Sequence, residues 1–286
     1  MNKKTKFKRN LRVFFSRGIL SVFCTIYIIL FLCMAIFAPI LTKNGPTEQF
    51  SGKTFLAPCS EFPLGTDALG RDVYSRIVYG ARTSFVASLL SSVVGLVLGT
   101  VLGLIAGYFK GFVSAMIMRF TDAILSIPAL ILTMVMALFF KNGGVLSVGI
   151  VIGFALMPSY VRVIYGLVLS MKENDFVTAA QLVGQNRASI LFRHFLPNCF
   201  PSLIVMFTMT LGNAISLEAS LSFLGVGITP PTPAWGSMVS EGYKYLIMKP
   251  SLAIIPGIFV LLTVVAFNVV GDGVRDVLDP RLKGKL

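Results

Sequence analysis

The sequence predicts an all-α fold, a polytopic membrane protein of six transmembrane helices, on three observations. Hydrophobic residues fill 55% of the 286 positions and charged residues only 13%, about half the charged share of an ordinary soluble domain. The apolar residues gather into six continuous runs, each near the ~20 residues a helix needs to cross a bilayer. Those runs do not alternate between apolar and polar, which excludes a barrel of spanning strands. So much apolar surface would aggregate in water, and the solvent it implies is lipid.

The first run, 20–41, follows a basic segment with Lys3, Lys4, Lys6, Lys8, Arg9, Arg12 and Arg17. Its apolar stretch from Gly18 to Leu41 outlasts the roughly 7–15 residues of a secretory signal core, and no A-x-A site follows, so it reads as an uncleaved first helix. The remaining spans are 84–107, 114–140, 146–169, 199–222 and 251–271. Pro128, Pro158 and Pro256 fall inside the third, fourth and sixth, a position spanning helices tolerate when neighbours satisfy the freed carbonyls. The chain thus divides into 1–81 (tail, first helix and an outer loop), a transmembrane unit at 82–272 and a tail at 273–286.

The 25 Lys and Arg against 12 Asp and Glu give a net charge of +13, and mean hydropathy is +0.83. The basic residues form no single stripe of the kind that tracks a nucleic acid; they cluster between the apolar runs. With the N-terminus inside, the cytoplasmic pieces carry fifteen of them, including Lys110, Lys172, Arg187, Arg193, Arg275, Arg281, Lys283 and Lys285. The opposite face carries eight: Lys43, Lys53, Arg71, Arg76, Arg82, Lys141, Lys244 and Lys249. The excess of positive charge inside predicts cytoplasmic N- and C-termini. Two connections exceed a simple turn, 42–83 outside and 170–198 inside, and long ordered loops usually carry function.

In the inner connection, Asn174 or Asp175 can cap a helix that places Phe176, Ala179, Ala180 and Val183 on one face. Gly184 can end it in a left-handed conformation. A second short helix can run from Ala188 to Leu196 before Pro197 stops it. Such a small-residue apolar knob suits a groove on a partner protein, or rests on the bilayer as an amphipathic element. Gly95, Gly99, Gly103 and Gly107 recur every fourth residue of the second span, a spacing for close helix packing that could instead line a pore. Glu218 and Asn213, on the fifth span, are candidates for a translocation path because membrane-embedded polar groups are functional by default; for Glu218 the turn that follows favours the alternative, a carboxyl held by local hydrogen bonds. Arg119 and Asp122 stand three apart and can pair on one helix face.

Other patterns dissolve on inspection. Gly52-Lys-Thr54 resembles the end of a phosphate-binding loop, but position 47 is Thr where that loop requires Gly. Asp272, Asp276 and Asp279 are interleaved with Arg275 and Arg281, which reads as a solvated tail rather than a metal site. Cys24, Cys33, Cys59 and Cys199 fit neither a zinc set nor a disulfide framework. No nucleophile–base pair is present, so the chain reads as no enzyme.

The inner connection, Glu173 to Pro197, resembles the cytoplasmic loop of binding-protein-dependent ABC importer permeases, whose pattern is Glu-Ala-Ala, three residues, Gly, nine residues, Ile-x-Leu-Pro. Ala179, Ala180, Gly184, Leu196 and Pro197 match, while Thr178 replaces the Glu and His194 the Ile. Asp175-Phe-Val-x-Ala-Ala and Arg193-His-x-Leu-Pro-Asn198 are similar to the peptide and nickel branch. So are Pro63-Leu-Gly-Thr-Asp-Ala-Leu-Gly-Arg-Asp-Val-Tyr-Ser-Arg76 with Gly80-Ala-Arg82, Glu218 to Gly236, and Gly271 to Arg281. Phe62 stands where that branch often has His.

The resemblance implies a type I ABC importer permease fold in the cell (inner, cytoplasmic) membrane. It implies that Asp175, Phe176, Ala179, Ala180, Gly184, His194, Leu196 and Pro197 couple the chain to an ATPase. It also implies a homologous permease as heterodimer partner, two cytoplasmic ATP-binding subunits, an extracytoplasmic substrate-binding protein and membrane lipid, with no nucleic acid. No cofactor is expected on this chain; ATP and Mg belong to the partner ATPases. The expected cargo is a di- or oligopeptide, with nickel or another small solute as the alternative. A secondary transporter would show paired intramembrane acids in repeated halves, and a channel a selectivity element; neither is visible.

Overall fold

A computed structural model of the chain describes residue 14 and residues 18–140 and 144–278. The orientation count therefore rests partly on residues outside that set: the basic cluster from Lys3 to Arg17, Lys141, Arg281, Lys283 and Lys285. The secondary structure of the described residues is helical, joined by irregular connections of which 42–72 is the longest, with one isolated bridge between Thr66 and Asp72 and no strand. Five helices are each long and apolar enough to cross a membrane, and a bent pair supplies a sixth if counted as one span.

In chain order they are α1 (Ile19–Leu41), α2 (Val73–Tyr108), α3 (Phe112–Leu125), α4 (Ala129–Leu138), α5 (Val145–Lys172), α6 (Asp175–Leu182), α7 (Arg187–Ile190), α8 (Leu196–Phe223), α9 (Trp235–Tyr243) and α10 (Ser251–Leu278). We call the end of the bundle that carries α6 and α7 proximal and the other end distal.

Four boundaries depart from the hydropathy reading, each for a local reason. Helix α2 begins at Val73 instead of 84. Asp72 caps it by accepting from Tyr74 N at 3.0 Å and from Ser75 Oγ at 2.7 Å, and Arg76 in its first turns is buried among protein charges instead of facing lipid. The third span is broken: α3 and α4 meet at 92°. Pro128 lacks an amide hydrogen and disfavours a helical Ile127, while Ser126 Oγ donates to Ala123 O at 2.7 Å and draws the chain out of register. Pro197 does not stop a helix. A π turn over Leu191–Phe195 joins α7 to α8, and Leu196 N donates five residues back to Leu191 O. The widened turn places Pro197 in the first turn of α8, where its missing amide costs little. Last, α10 runs to Leu278, so Asp272, Arg275 and Asp276 lie on a helix and not in a solvated tail; Asp279 and Arg281 fall outside the described residues.

The most extensive pairing is α2 against α5. Helix α1 lies on the outside of this pair, where Phe31 is buried against Phe85, Trp235 and Phe267. Its other side presents Ile19, Phe23, Ile26, Ile29, Leu30 and Ile36, the uniformly apolar surface that suits acyl chains.

Candidate functional site

At the proximal end, α6 packs back onto the bundle. Its stop is a glycine turn: Gly184 has φ +76°, Gln185 N donates to Ala180 O at 3.1 Å and Val183 N to Ala179 O at 3.1 Å, bonds that satisfy the last carbonyls of a helix. Asn186 then caps α7, its Oδ1 accepting from Ala188 N at 2.7 Å and Ser189 N at 3.2 Å. Val177, Ala180, Ile190, Leu191 and Phe195 are buried in one cluster with Leu104, Ile164, Val168 and Cys199. The element is therefore seated on α2, α5 and α8 together.

The sequence groups Phe176, Ala179, Ala180 and Val183 on one outward face, and the structure divides that group. Ala180 alone turns inward, 6% exposed, beside Val177, while Phe176, Ala179 and Val183 stay on the outward side; both faces of this short helix are apolar. Outward lie Asp175, Phe176 and Ala179, with Leu182 and Val183 at 83% and 81% exposure. His194 is half-buried, a ring nitrogen 2.8 Å from Gln185 Oε1 and its ring 6.2 Å from that of Phe176. It thereby links the turn after α6 to the π turn. Leu196 is half-buried and Pro197 exposed. Left in water, Leu182 and Val183 would forgo roughly 1.5–3 kcal/mol each, so the outward face suits either a partner's groove or the bilayer surface.

The same element is mechanically continuous with the membrane. From Arg187 to Phe223 the chain passes the π turn without interruption, 37 residues in all, or ~55 Å at the helical rise. α7 and the distal end of α8 thus belong to one continuous helical rod. Gly184 has open space around the position of a Cβ, so a side chain there is opposed by backbone strain alone, roughly 1–2 kcal/mol. Gly184→Val is expected to loosen α6 and lower transport severalfold, while Gly184→Asn, which tolerates the left-handed region, keeps most of it. Uptake per unit of membrane-inserted protein checks this.

Gly95, Gly99, Gly103 and Gly107 face α5. A Cβ on Gly99 would lie 2.4 Å from Tyr160 Cβ and 2.7 Å from Met157 O; on Gly103 it would meet Ile164 Cβ at 2.8 Å, and on Gly107 Val168 Cβ at 2.6 Å. These positions hold two helices at close range. Glu218 is fully buried between α8 and α2, accepting from Ser84 Oγ at 2.9 Å and Ser222 Oγ at 2.8 Å, the hydrogen-bonded arrangement of its structural reading. Asn213 is exposed. Ser216 and Ser220, on the same face of α8 by helical spacing, line a shallow groove with Leu130, Val239 and Val260.

Two features at the distal end escaped sequence reasoning. Arg71 donates to Asp67 at 2.6 Å and to Glu241 at 2.9 Å, and Arg76 donates to the same Glu241 oxygen at 2.8 Å, both guanidinium groups nearly fully buried. The i,i+4 spacing of Asp67 and Arg71 hints at the first pair, but nothing local points to Glu241. Trp235 Nε1 donates to Ile77 O at 3.0 Å and its indole packs where Gly80 has no side chain, so the motifs around 63–82 and 218–236 fold against each other. Asp122 pairs with Arg162 of α5 at 2.7 Å rather than with Arg119.

Residues 99–284 match the family described as binding-protein-dependent transport system inner membrane component. The glutathione transport system permease protein GsiD of Shigella flexneri is 37% identical over 271 residues, covering 94% of this chain and 89% of that protein. The protein of that name from Pectobacterium atrosepticum is 37% identical over 270 residues, with 94% and 89% covered. The one from Escherichia coli is 36% identical over 271 residues, again with 94% and 89% covered.

Proposed function

Since the chain belongs to the family of binding-protein-dependent transport system inner membrane components, the permease subunits of ABC importers in the inner membrane, we propose that it forms half of the transmembrane path for small peptides, of which glutathione is the first to test. The observation that carries the coupling is the proximal element: an apolar face at Phe176, Ala179, Leu182 and Val183, seated on three helices and continuous with α8.

In this reading the proximal end is cytoplasmic. Two ATP-binding subunits hold ATP and Mg and each receives one permease's proximal element. A homologous permease completes the path, and a substrate-binding protein docks at the distal end. Closure of the ATPases moves α6 and α7, and the rigid connection through the π turn rocks α8 so that the path opens distally. Support for peptide cargo comes from the likeness to glutathione transport system permease proteins.

The test is uptake of radiolabelled glutathione into vesicles holding the permease pair, ATPases and binding protein. The expected result is accumulation that requires ATP inside the ATPase compartment and stops with vanadate. Accumulation that continues without the ATPase subunits would overturn the assignment.

A further inference from the structure

The ion pair between Arg162 Nη2 and Asp122 Oδ1 has no part in the coupling element, and its side chains are 56% and 46% exposed. Its depth follows from the glycine register. Gly99 lies against Met157 and Tyr160, and Gly103 against Val161 and Ile164. Arg162 is therefore level with the 99–103 stretch of α2, about 8–13 Å short of that helix's proximal end by the helical rise. Lys172 Nζ, donating to the carbonyl of Tyr108, marks that end.

An exposed charge pair at that depth faces lipid, a partner or water. Lipid is disfavoured because a short aspartate cannot extend to the headgroups, and a carboxylate among acyl chains is costly. Two further observations favour water. The break at Ser126, Ile127 and Pro128, four to six residues beyond Asp122, is exposed on this chain, and non-helical backbone at membrane depth persists only where protein covers it or a water-filled cavity borders it. The exposed residues of α5 here are Ser159, Arg162, Val163, Gly166, Leu169 and Ser170, four of the six small or polar, unlike the wholly apolar outer side of α1.

We propose that Asp122 and Arg162 line the water-filled path and take the charged ends of a zwitterionic peptide, Asp122 accepting from its ammonium and Arg162 donating to its carboxylate. This rests on the importer reading above. An exposed pair contributes little to the fold, so each partner can be traded for a substrate charge at small cost. The guanidinium fork matches a carboxylate. Exchange of one ion pair for two of similar strength makes a shallow well, from which a substrate can also leave.

The experiment uses the reconstituted complex with saturating binding protein and radiolabelled glutathione, and reads glutathione transported per ATP hydrolysed. Asp122→Asn and Arg162→Gln are each expected to lower that ratio about tenfold, and the exchange Asp122→Arg with Arg162→Asp to recover part of it. A purely structural pair would lower uptake and hydrolysis together and leave the ratio unchanged, which overturns the proposal. In a cysteine-free background, Ser159→Cys and Gly166→Cys should react with a water-soluble maleimide in the assembled complex. Reaction with a lipid-soluble maleimide alone, or with neither, would place the face against lipid or against the second permease and also overturn it. If the wild-type complex takes up no glutathione, the cargo reading fails, while the labelling still decides where the pair faces.

Discussion

Replacing Gly99 with leucine is expected to remove the folded protein from the membrane. The first carbon added would sit 2.4 Å from Tyr160 Cβ and 2.7 Å from the Met157 carbonyl, and both neighbours are buried, at 0% and 1% exposure. Neither obstacle is the free end of a flexible chain, so α2 and α5 must part. Extra methylenes in a packed core cost about 1–3 kcal/mol even where neighbours can adjust, and here the pairing that organises the whole bundle is forced open. Against a total stability of roughly 5–15 kcal/mol, the expected result is at least a tenfold loss of monodisperse protein extracted from membranes. Gly166→Leu, at a glycine of α5 with open space around it, should leave that yield unchanged.

The second large effect lies on the proximal face. Leu182→Asp combined with Val183→Asp alters two side chains that are 83% and 81% exposed, so folding and membrane insertion should be untouched. If a partner buries both, losing them removes on the order of 3 kcal/mol from association, about a hundredfold in affinity, before the cost of burying two carboxylates is counted. Co-purification of the ATPase subunits should fail and ATP-driven uptake vanish at normal permease abundance. Retention of the ATPases at wild-type stoichiometry would show that docking occurs elsewhere.

Where a single physical cause acts along the chain, the sequence was readable. Six apolar runs exist because lipid demands them, and the Gly184 turn was legible because a left-handed residue ending a short helix is most often glycine. The 92° break was not. Pro158 and Pro256 give the same signal as Pro128, yet α5 and α10 run through them; the difference lies in how each helix is supported by its neighbours. The inward turn of Ala180 was not legible, since Val177 and Ala180 compete with Ala179 and Val183 on a helix apolar on two sides. Which of the two readings of Glu218 holds was not legible because its hydrogen-bond partner Ser84 lies 134 residues away.

The distal charge cluster has a consequence for how such chains can be recombined. Residues 67–76 supply two guanidinium groups and an aspartate, and α9 supplies the glutamate both guanidinium groups share. A graft that exchanged the outer loop with a relative and left α9 behind could strand a buried cation, a defect of roughly 3–5 kcal/mol. The loop and the helix 165 residues downstream therefore have to be exchanged together.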